Sequence, residues 1–277
     1  MRYLWVASIA GSLFGVVLLS GCAKQDYSEI EVLGHAGYGL ENPQSIYPGN
    51  SQASIRLALA HPGCNGVELD ARLSKDGHIW FFHDGFLDNT TNGSGCVENY
   101  TNSELMGIKY TGLNNSSTGN FEANLTQLKY LADVLVTGKT IHFDIRHMNP
   151  CTNQQVDSVA FINQLNVFRQ TRPNTRVICH LHHIGWMKSF VHHSLEVYAQ
   201  IDSWSGYQSV KKQVPAIAGF VLDKELFTRD QIGEMKQDGY EVSLFHMRSP
   251  RGIRAALRKL PTSIISDDVP GAIIEKE

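Results

Sequence analysis

The sequence has no excess of positive charge. Its 24 Lys and Arg against 27 Asp and Glu leave a formal net charge of −3. That removes the broad basic face with which proteins hold nucleic-acid backbones, so no nucleic-acid partner is expected. The chain also lacks an internal repeat and a long Pro/Ser linker, so nothing divides it into an array or into separate domains. Cysteine is scarce, five in 277 residues, at spacings that match no zinc motif. Long apolar runs are nearly absent. The one that exists, Leu4–Leu19, is short for a membrane span and has the length of a signal h-region behind Arg2. What is present is ordinary: 42% hydrophobic and 18% charged residues, enough for a large core.

The apolar run ends in LSGC, Leu19 to Cys22. Small residues before a cysteine here resemble the lipobox of bacterial lipoproteins. That resemblance implies cleavage before Cys22, so residues 1–21 are a signal peptide. It also implies acylation of Cys22 and an exported protein held at a bacterial membrane, in the cell envelope, by lipid. A plain secretory signal with an incidental cysteine is the alternative. The remaining stretch, 22–277, has about the length of one (β/α)₈ barrel. Export permits disulfides. Cys64, Cys96, Cys151 and Cys179 allow three pairings or four free thiols. Cys64 with Cys96 is preferred, because both sit in loops flanking one hairpin.

Short apolar strands alternate with helix-like segments. Strands are expected at Glu31–His35, Gly66–Arg72, Ile79–His83, Thr140–Arg146, Arg176–Leu181, Leu195–Ile201, Ala218–Leu222, Glu241–His246 and Ser263–Ser266. Helices are expected at Ser51–His61, Gln127–Val136, Gln155–Thr171, Arg229–Asp238 and Pro250–Leu260. This alternation argues for a parallel sheet, closed or doubly wound. Ser74-Lys75-Asp76-Gly77 breaks it: a turn with no room for a crossover helix makes a β-hairpin between the second and third strands of the parallel sheet. The segment Asp84 to Asn124 is too long for an ordinary connection and reads as a small or functional insertion.

Within GVELDARLSKDGHIWFFHD, Glu68 and Asp70 stand two residues apart in a strand that otherwise reads as buried. Buried carboxylates are costly unless they are paired or bind a metal. If Leu73 pairs with His78, Asp70 faces Phe81 and Glu68 faces His83, and all four share one face. A one-residue slip would destroy that geometry. Other polar groups sit at comparable strand ends: His35 in GHAG, Asp144 and Arg146 in TIHFDIRH, and Asn50 ahead of the first helix. Polar residues at such ends read as catalytic. Glu68, Asp70 and Asp144 form an oxygen-only set suited to one hard divalent cation, Ca²⁺ or Mg²⁺. His35 and His83 suit acid and base steps. Arg146 suits an anion held by two hydrogen bonds. Together they suggest phosphoryl chemistry. His180, His182 and His183 in CHLHH, with His147 and His246, read as pocket wall or surface. Asp223 and Lys224 read as head-group contacts or an exposed ion pair.

At these residues the chain resembles the glycerophosphodiester phosphodiesterases. The match runs through GHAG, NSQASIRLALAHPGCNGVELDARLSKDGHIWFFHDGFLDNTTNGSG, the FDIR strand and SIISDDVP. The resemblance implies a TIM-type (β/α)₈ barrel with a small insertion at about 84–124. It implies metal-dependent cleavage of a glycerophosphodiester to an alcohol and glycerol phosphate. Carried over by motif, His35 and His83 are the acid–base pair. Glu68, Asp70 and Asp144 are metal ligands, and Arg146 stands at a phosphate-contacting lysine position, with Asn50 beside the substrate. The partners implied are a small glycerophosphodiester or lipid-derived substrate, and the membrane through the anchor. The chain departs from the pattern at Ala36 and Gly49, where the family has arginine and glutamate. Asp144 stands where glutamate is commoner, and SLFHM lacks the usual tryptophan. These departures bear on substrate identity. A phospholipase D-like activity on lysophospholipid or sphingolipid head groups is one alternative, and a phosphate-binding lipoprotein without turnover is another.

Overall fold

The computed structural model describes residues 25–40, 47–111, 123–131 and 138–277. The expected signal and Cys22 lie outside them. Eight strands form the barrel: β1 (Glu31–Gly34), β2 (Gly66–Leu73), β3 (Thr140–Ile145), β4 (Arg176–Leu181), β5 (Glu196–Ile201), β6 (Gly219–Asp223), β7 (Glu241–Met247) and β8 (Ser263–Ser266). Each runs parallel to its sequence neighbours, and β1 also pairs with β8, so the sheet closes on itself. This is the expected TIM-type barrel.

Strand period two sorts the side chains. Val67, Leu69, Ile141 and Phe143 point outward into the layer beneath the helices. Leu33, Ile178, Tyr198, Val221 and Ile265 fill the barrel interior. Glu68 and Asp70 alternate with Val67 and Leu69, and Asp144 follows Phe143, so the three acids face inward.

Among the described residues, seven helices of eight or more residues cover the barrel: Gln52–Ala60, Ser158–Thr171, Ile184–His192, Trp204–Gln213, Arg229–Gln237, Pro250–Leu257 and Val269–Lys276. Each starts on a residue whose side chain accepts a first-turn amide: Ser51, Asp157, His183, Ser203, Thr228, Ser249 and Asp268. Such caps satisfy amides that the helix itself leaves open. Three of these helices were not expected. IGWMKSFVH, WSGYQSVKKQ and VPGAIIEK are rich in Gly, Ser, aromatic or β-branched residues, which lower helix propensity. Packing of Trp186, Tyr207 and Val269 into the core outweighs it.

The hairpin differs from the expected register by one residue. Ser74 and His78 close the turn, with the Ser74 amide donating to the His78 carbonyl at 2.8 Å. Leu73 therefore pairs with Ile79 and Ala71 with Phe81. The cause is the turn chemistry. Ser74 Oγ accepts the His78 amide and donates to Asp76, while Gly77 takes the positive φ of 81°. Phe81 consequently shares the outward face with Ala71 and stacks on Phe143 at 5.7 Å. It is not on the face of the acids. The hairpin strand ends at Phe81, so His83 lies beyond it rather than opposite Glu68.

After the hairpin, Leu87, Val97, Leu105, Ile108 and Tyr110 make a small apolar cluster over Trp80 and Phe82. Cys96 in this segment bonds to Cys151 in the loop after β3. The preferred Cys64–Cys96 pairing is thus incorrect, and Cys64 and Cys179 are buried free thiols. Cys64 precedes the eight residues of β2, which span about 26 Å. The insertion packs at the far end of that strand, beyond the reach of a disulfide.

Candidate active site

The C-terminal ends of the strands open into a cavity of about 350 Å³, lined among others by His35, Glu68, Asp70, His83, Asp144 and Arg146. Glu68, Asp70 and Asp144 are buried, and each offers a carboxylate oxygen within 4.8 Å of the others. The register Asp70 opposite Asp144 on adjacent strands brings them together. Arg146 follows β3 and turns its guanidinium onto them, bonding Asp70 and standing 3.1 Å from Asp144 Oδ2. Burial works against ionisation of Asp70 and Asp144, but the Arg146 charge holds both carboxyls below the usual range. For Glu68, burial and the Asp70 charge prevail and push it up to about 8. Asp144 Oδ1 is buried without a hydrogen-bond partner, with His182 Nε2 3.6 Å away. Three hard oxygen donors, one of them unsatisfied, fit a divalent cation bound at this cluster.

The two histidines are backed in the same way. His35 Nδ1 lies 2.7 Å from Asp267 Oδ1, and His83 Nδ1 lies 2.9 Å from Asp84 Oδ1. A carboxylate on Nδ1 fixes the tautomer and leaves Nε2 for chemistry. Nε2 of His35 is 3.8 Å from Glu68 Oε2. Burial would lower the pKa of His35, but the hydrogen bond to Asp267 and the charge of Glu68 outweigh it, and the value rises to about 9. Asp267 was not singled out among the residues of SIISDDVP. The signal that could have found it is its place: a carboxylate directly after β8, one strand over from His35. It also accepts the Leu40 amide at 3.0 Å.

Asn50 was expected beside the substrate. The structure places it behind Asp70 instead, fully buried. Its Nδ2 donates to Asp70 Oδ2 at 2.8 Å, and its Oδ1 accepts the Asp70 amide at 3.1 Å. His180 lines the cavity from below and is bonded to His142 on β3 at 2.6 Å. Burial pushes it down to about 4. His182 lies toward an adjoining groove of about 530 Å³ that shares Gln200 and Phe245 with the main cavity. His183 serves as a helix cap and stacks with His147. His246 pairs with Asp223 at 2.7 Å, and Lys224 pairs with Glu225.

Comparison with known proteins agrees with this geometry. A glycerophosphodiester phosphodiesterase of Bacillus altitudinis is 39% identical over 75 residues, 27% of this chain and 28% of that relative. The aligned stretch is therefore less than a third of the relative's length. Among solved structures, the glycerophosphodiester phosphodiesterase of Agrobacterium tumefaciens superposes with a TM-score of 0.69 at 18% identity, over 89% of this chain and 99% of that one. An Oleispira antarctica phosphodiesterase in complex with the product sn-glycerol-3-phosphate superposes with a TM-score of 0.68 at 18% identity, over 91% and 99%. At such identities these likenesses show the fold. The match that bears on family runs from residue 35 to 270, from the histidine after β1 to the helix after β8. Over that span the chain belongs to the glycerophosphoryl diester phosphodiesterase family.

Proposed function

We propose that the protein hydrolyses glycerophosphodiesters to an alcohol and glycerol phosphate, with His35 and His83 as the acid–base pair. One observation carries this reading: two carboxylate-backed histidines and a cluster of three buried carboxylates line one cavity. A Ca²⁺ or Mg²⁺ ion held by Glu68, Asp70 and Asp144 would neutralise charge on the phosphate. Arg146 meets the same anionic group from the β3 side. His83 takes the proton of the glycerol hydroxyl beside the phosphate as that oxygen attacks phosphorus. His35, held protonated by Asp267, donates a proton to the departing alcohol as its P–O bond breaks. Water then opens the cyclic phosphate with the two roles exchanged.

The reaction belongs outside the cytoplasm in this reading. The LSGC sequence supports a lipid anchor at Cys22, and the Cys96–Cys151 disulfide suits an oxidising compartment. The adjoining groove carries Ile184, Met187, Ile201, Val210 and Leu226, so lysophospholipid is a second substrate to test. The experiment incubates protein lacking residues 1–22 with glycerophosphocholine, glycerophosphoethanolamine, glycerophosphoglycerol and lysophosphatidylcholine. Glycerol phosphate and released head group are measured with EDTA, then with Ca²⁺ or Mg²⁺ restored. Release from a diester that EDTA abolishes, one metal restores and His35→Ala or His83→Ala removes is the expected result. Turnover of lysolipid alone moves the assignment to the lipid substrate. No turnover of any substrate by metal-loaded protein refutes it.

A further inference from the structure

His83 lies past the end of its strand, and its side chain is 42% exposed. Its ring is bonded to Asp84, the next residue, so the placement of both depends on this stretch of backbone. Arg72 holds that backbone. It stands two residues after Asp70 on β2 and is 5% exposed. Its guanidinium turns away from the acid cluster: Nε donates to the Phe82 carbonyl at 3.0 Å and Nη2 to the His83 carbonyl at 3.1 Å. Those two carbonyls belong to the peptide groups on either side of the His83 Cα. The third arm, Nη1, donates to Glu98 Oε1 at 2.7 Å. Glu98 is 6% exposed and comes from the insertion, in the turn Val97–Asn99. Two residues earlier, Cys96 is tied to Cys151, in the loop that follows the strand of Asp144.

We infer that Glu98 is a positioning residue for His83, acting through Arg72, and that this is what the insertion contributes to the reaction. The inference rests on the reading of His83 as an acid–base residue. The physical reason is the geometry of the fork. A guanidinium reaches two carbonyls and a carboxylate in fixed directions, and a buried guanidinium needs a counter-charge. Remove Glu98 and Arg72 keeps a charge it must carry toward water or toward the acids, which releases the His83 carbonyl. Displacement of a reacting group by about 1 Å costs up to about 100-fold in rate.

The test compares Glu98→Gln, the double variant Arg72→Met/Glu98→Gln and, as a control in the same insertion, Glu104→Gln, which alters a helix cap without touching Arg72. The double variant leaves no unpaired charge in the interior and keeps the test open if Glu98→Gln does not fold. For each, kcat and KM on the diester found active are measured, with the thermal midpoint. Histidine ring signals by ¹⁵N NMR and amide exchange at residues 82–84 are recorded on the same proteins. The expected result is a fall in kcat of about 10- to 100-fold with KM within about twofold in both Glu98 variants. Altered His83 signals, faster exchange at 83 and 84, and unchanged His35 signals accompany it. Glu104→Gln keeps wild-type kcat. Wild-type kcat in folded Glu98→Gln or in the double variant overturns the inference, as does a loss that perturbs His35 and His83 alike. If the wild-type protein turns over no diester, the proposed function fails by itself. The NMR and exchange readouts then still decide whether Glu98 positions His83.

Discussion

Asn50 offers a test in which structure and sequence give different answers. In the structure it is a buried clamp on Asp70, with two side-chain hydrogen bonds and a left-handed φ of 64°. Losing the bond to the Asp70 carboxylate costs about 1.5–3 kcal/mol, and the unpaired Asp70 amide adds about 1 kcal/mol or more. Asn50→Gly loses both bonds but keeps the backbone conformation at ease, so a loss of about 3 kcal/mol is expected. Asn50→Ala loses the same bonds and adds the left-handed penalty of about 1–2 kcal/mol for a residue with a Cβ. The greater freedom of glycine in the unfolded chain offsets about 0.4–1 kcal/mol of that difference. Alanine should therefore be the less stable variant by roughly 0.5–1 kcal/mol. Urea unfolding in EDTA, with equal slopes for all three proteins, measures both numbers. In the metal-loaded enzyme both variants should lose kcat, because the Asp70 carboxylate is no longer held. A residue that touched substrate would instead raise KM with little effect on stability. An Asn50→Gly variant within about 1 kcal/mol of wild type, or an alanine variant more stable than the glycine one, refutes the clamp.

Two further predictions follow from the same geometry. Asp267→Asn removes the group that raises His35, so the His35 pKa should fall from about 9, read by NMR titration. Because the folded value is raised, the pair stabilises the protein below the unfolded value of about 6.5, and that contribution is lost as pH rises through about 9. The stability gap between wild type and variant should be present at pH 6 and close as pH rises through about 9, and a gap independent of pH would refute the charge pairing. Cys96→Ser with Cys151→Ser opens a loop of 55 residues and should cost about 4 kcal/mol on the chain-entropy account, measured by urea unfolding against the oxidised wild type.

The barrel is legible because strands buried on both sides leave short, nearly uninterrupted apolar runs, and the expected bounds Arg176–Leu181 and Ser263–Ser266 match the structure to the residue. Glu68, Asp70 and Asp144 stood out because charge is rare in such runs. What the sequence hid were relations between distant segments. The hairpin register turned on one side chain: Ser74 closes the turn with His78, and this moves Phe81 to the outer layer. The disulfide joined loops 55 residues apart that come together only once the insertion has folded over β2. Asn50 is expected at the substrate from its motif position ahead of the first helix. Its inward turn requires a positive φ, which the sequence does not display. Asp267 was missed because its partner, His35, meets it only when the barrel closes.

Closure of the barrel mouth also explains why Ala36 and Gly49 occur together. A Cβ added at Gly49 would stand 3.1 Å from the Ala36 Cβ and 2.8 Å from Leu40 Cδ1, so the two positions share one space. The Ala36 backbone is fully engaged there. Its amide donates to Glu68 at 3.2 Å, and its carbonyl accepts from the Asn50 amide at 2.7 Å and from Ser54 Oγ at 3.3 Å. An arginine at 36 without a glutamate at 49, or the reverse, would place a lone charge in that confined space, which is the expensive arrangement. Small residues at both positions avoid it, and they shift the burden of holding the phosphate charge onto the groups that remain. In the proposed reaction those are Arg146 and a cation that Glu68, Asp70 and Asp144 would hold. His35 takes its orientation from Asp267, which neither position replaces. The residues at 36 and 49 can therefore differ while the His35–Asp267 pairing stays as it is.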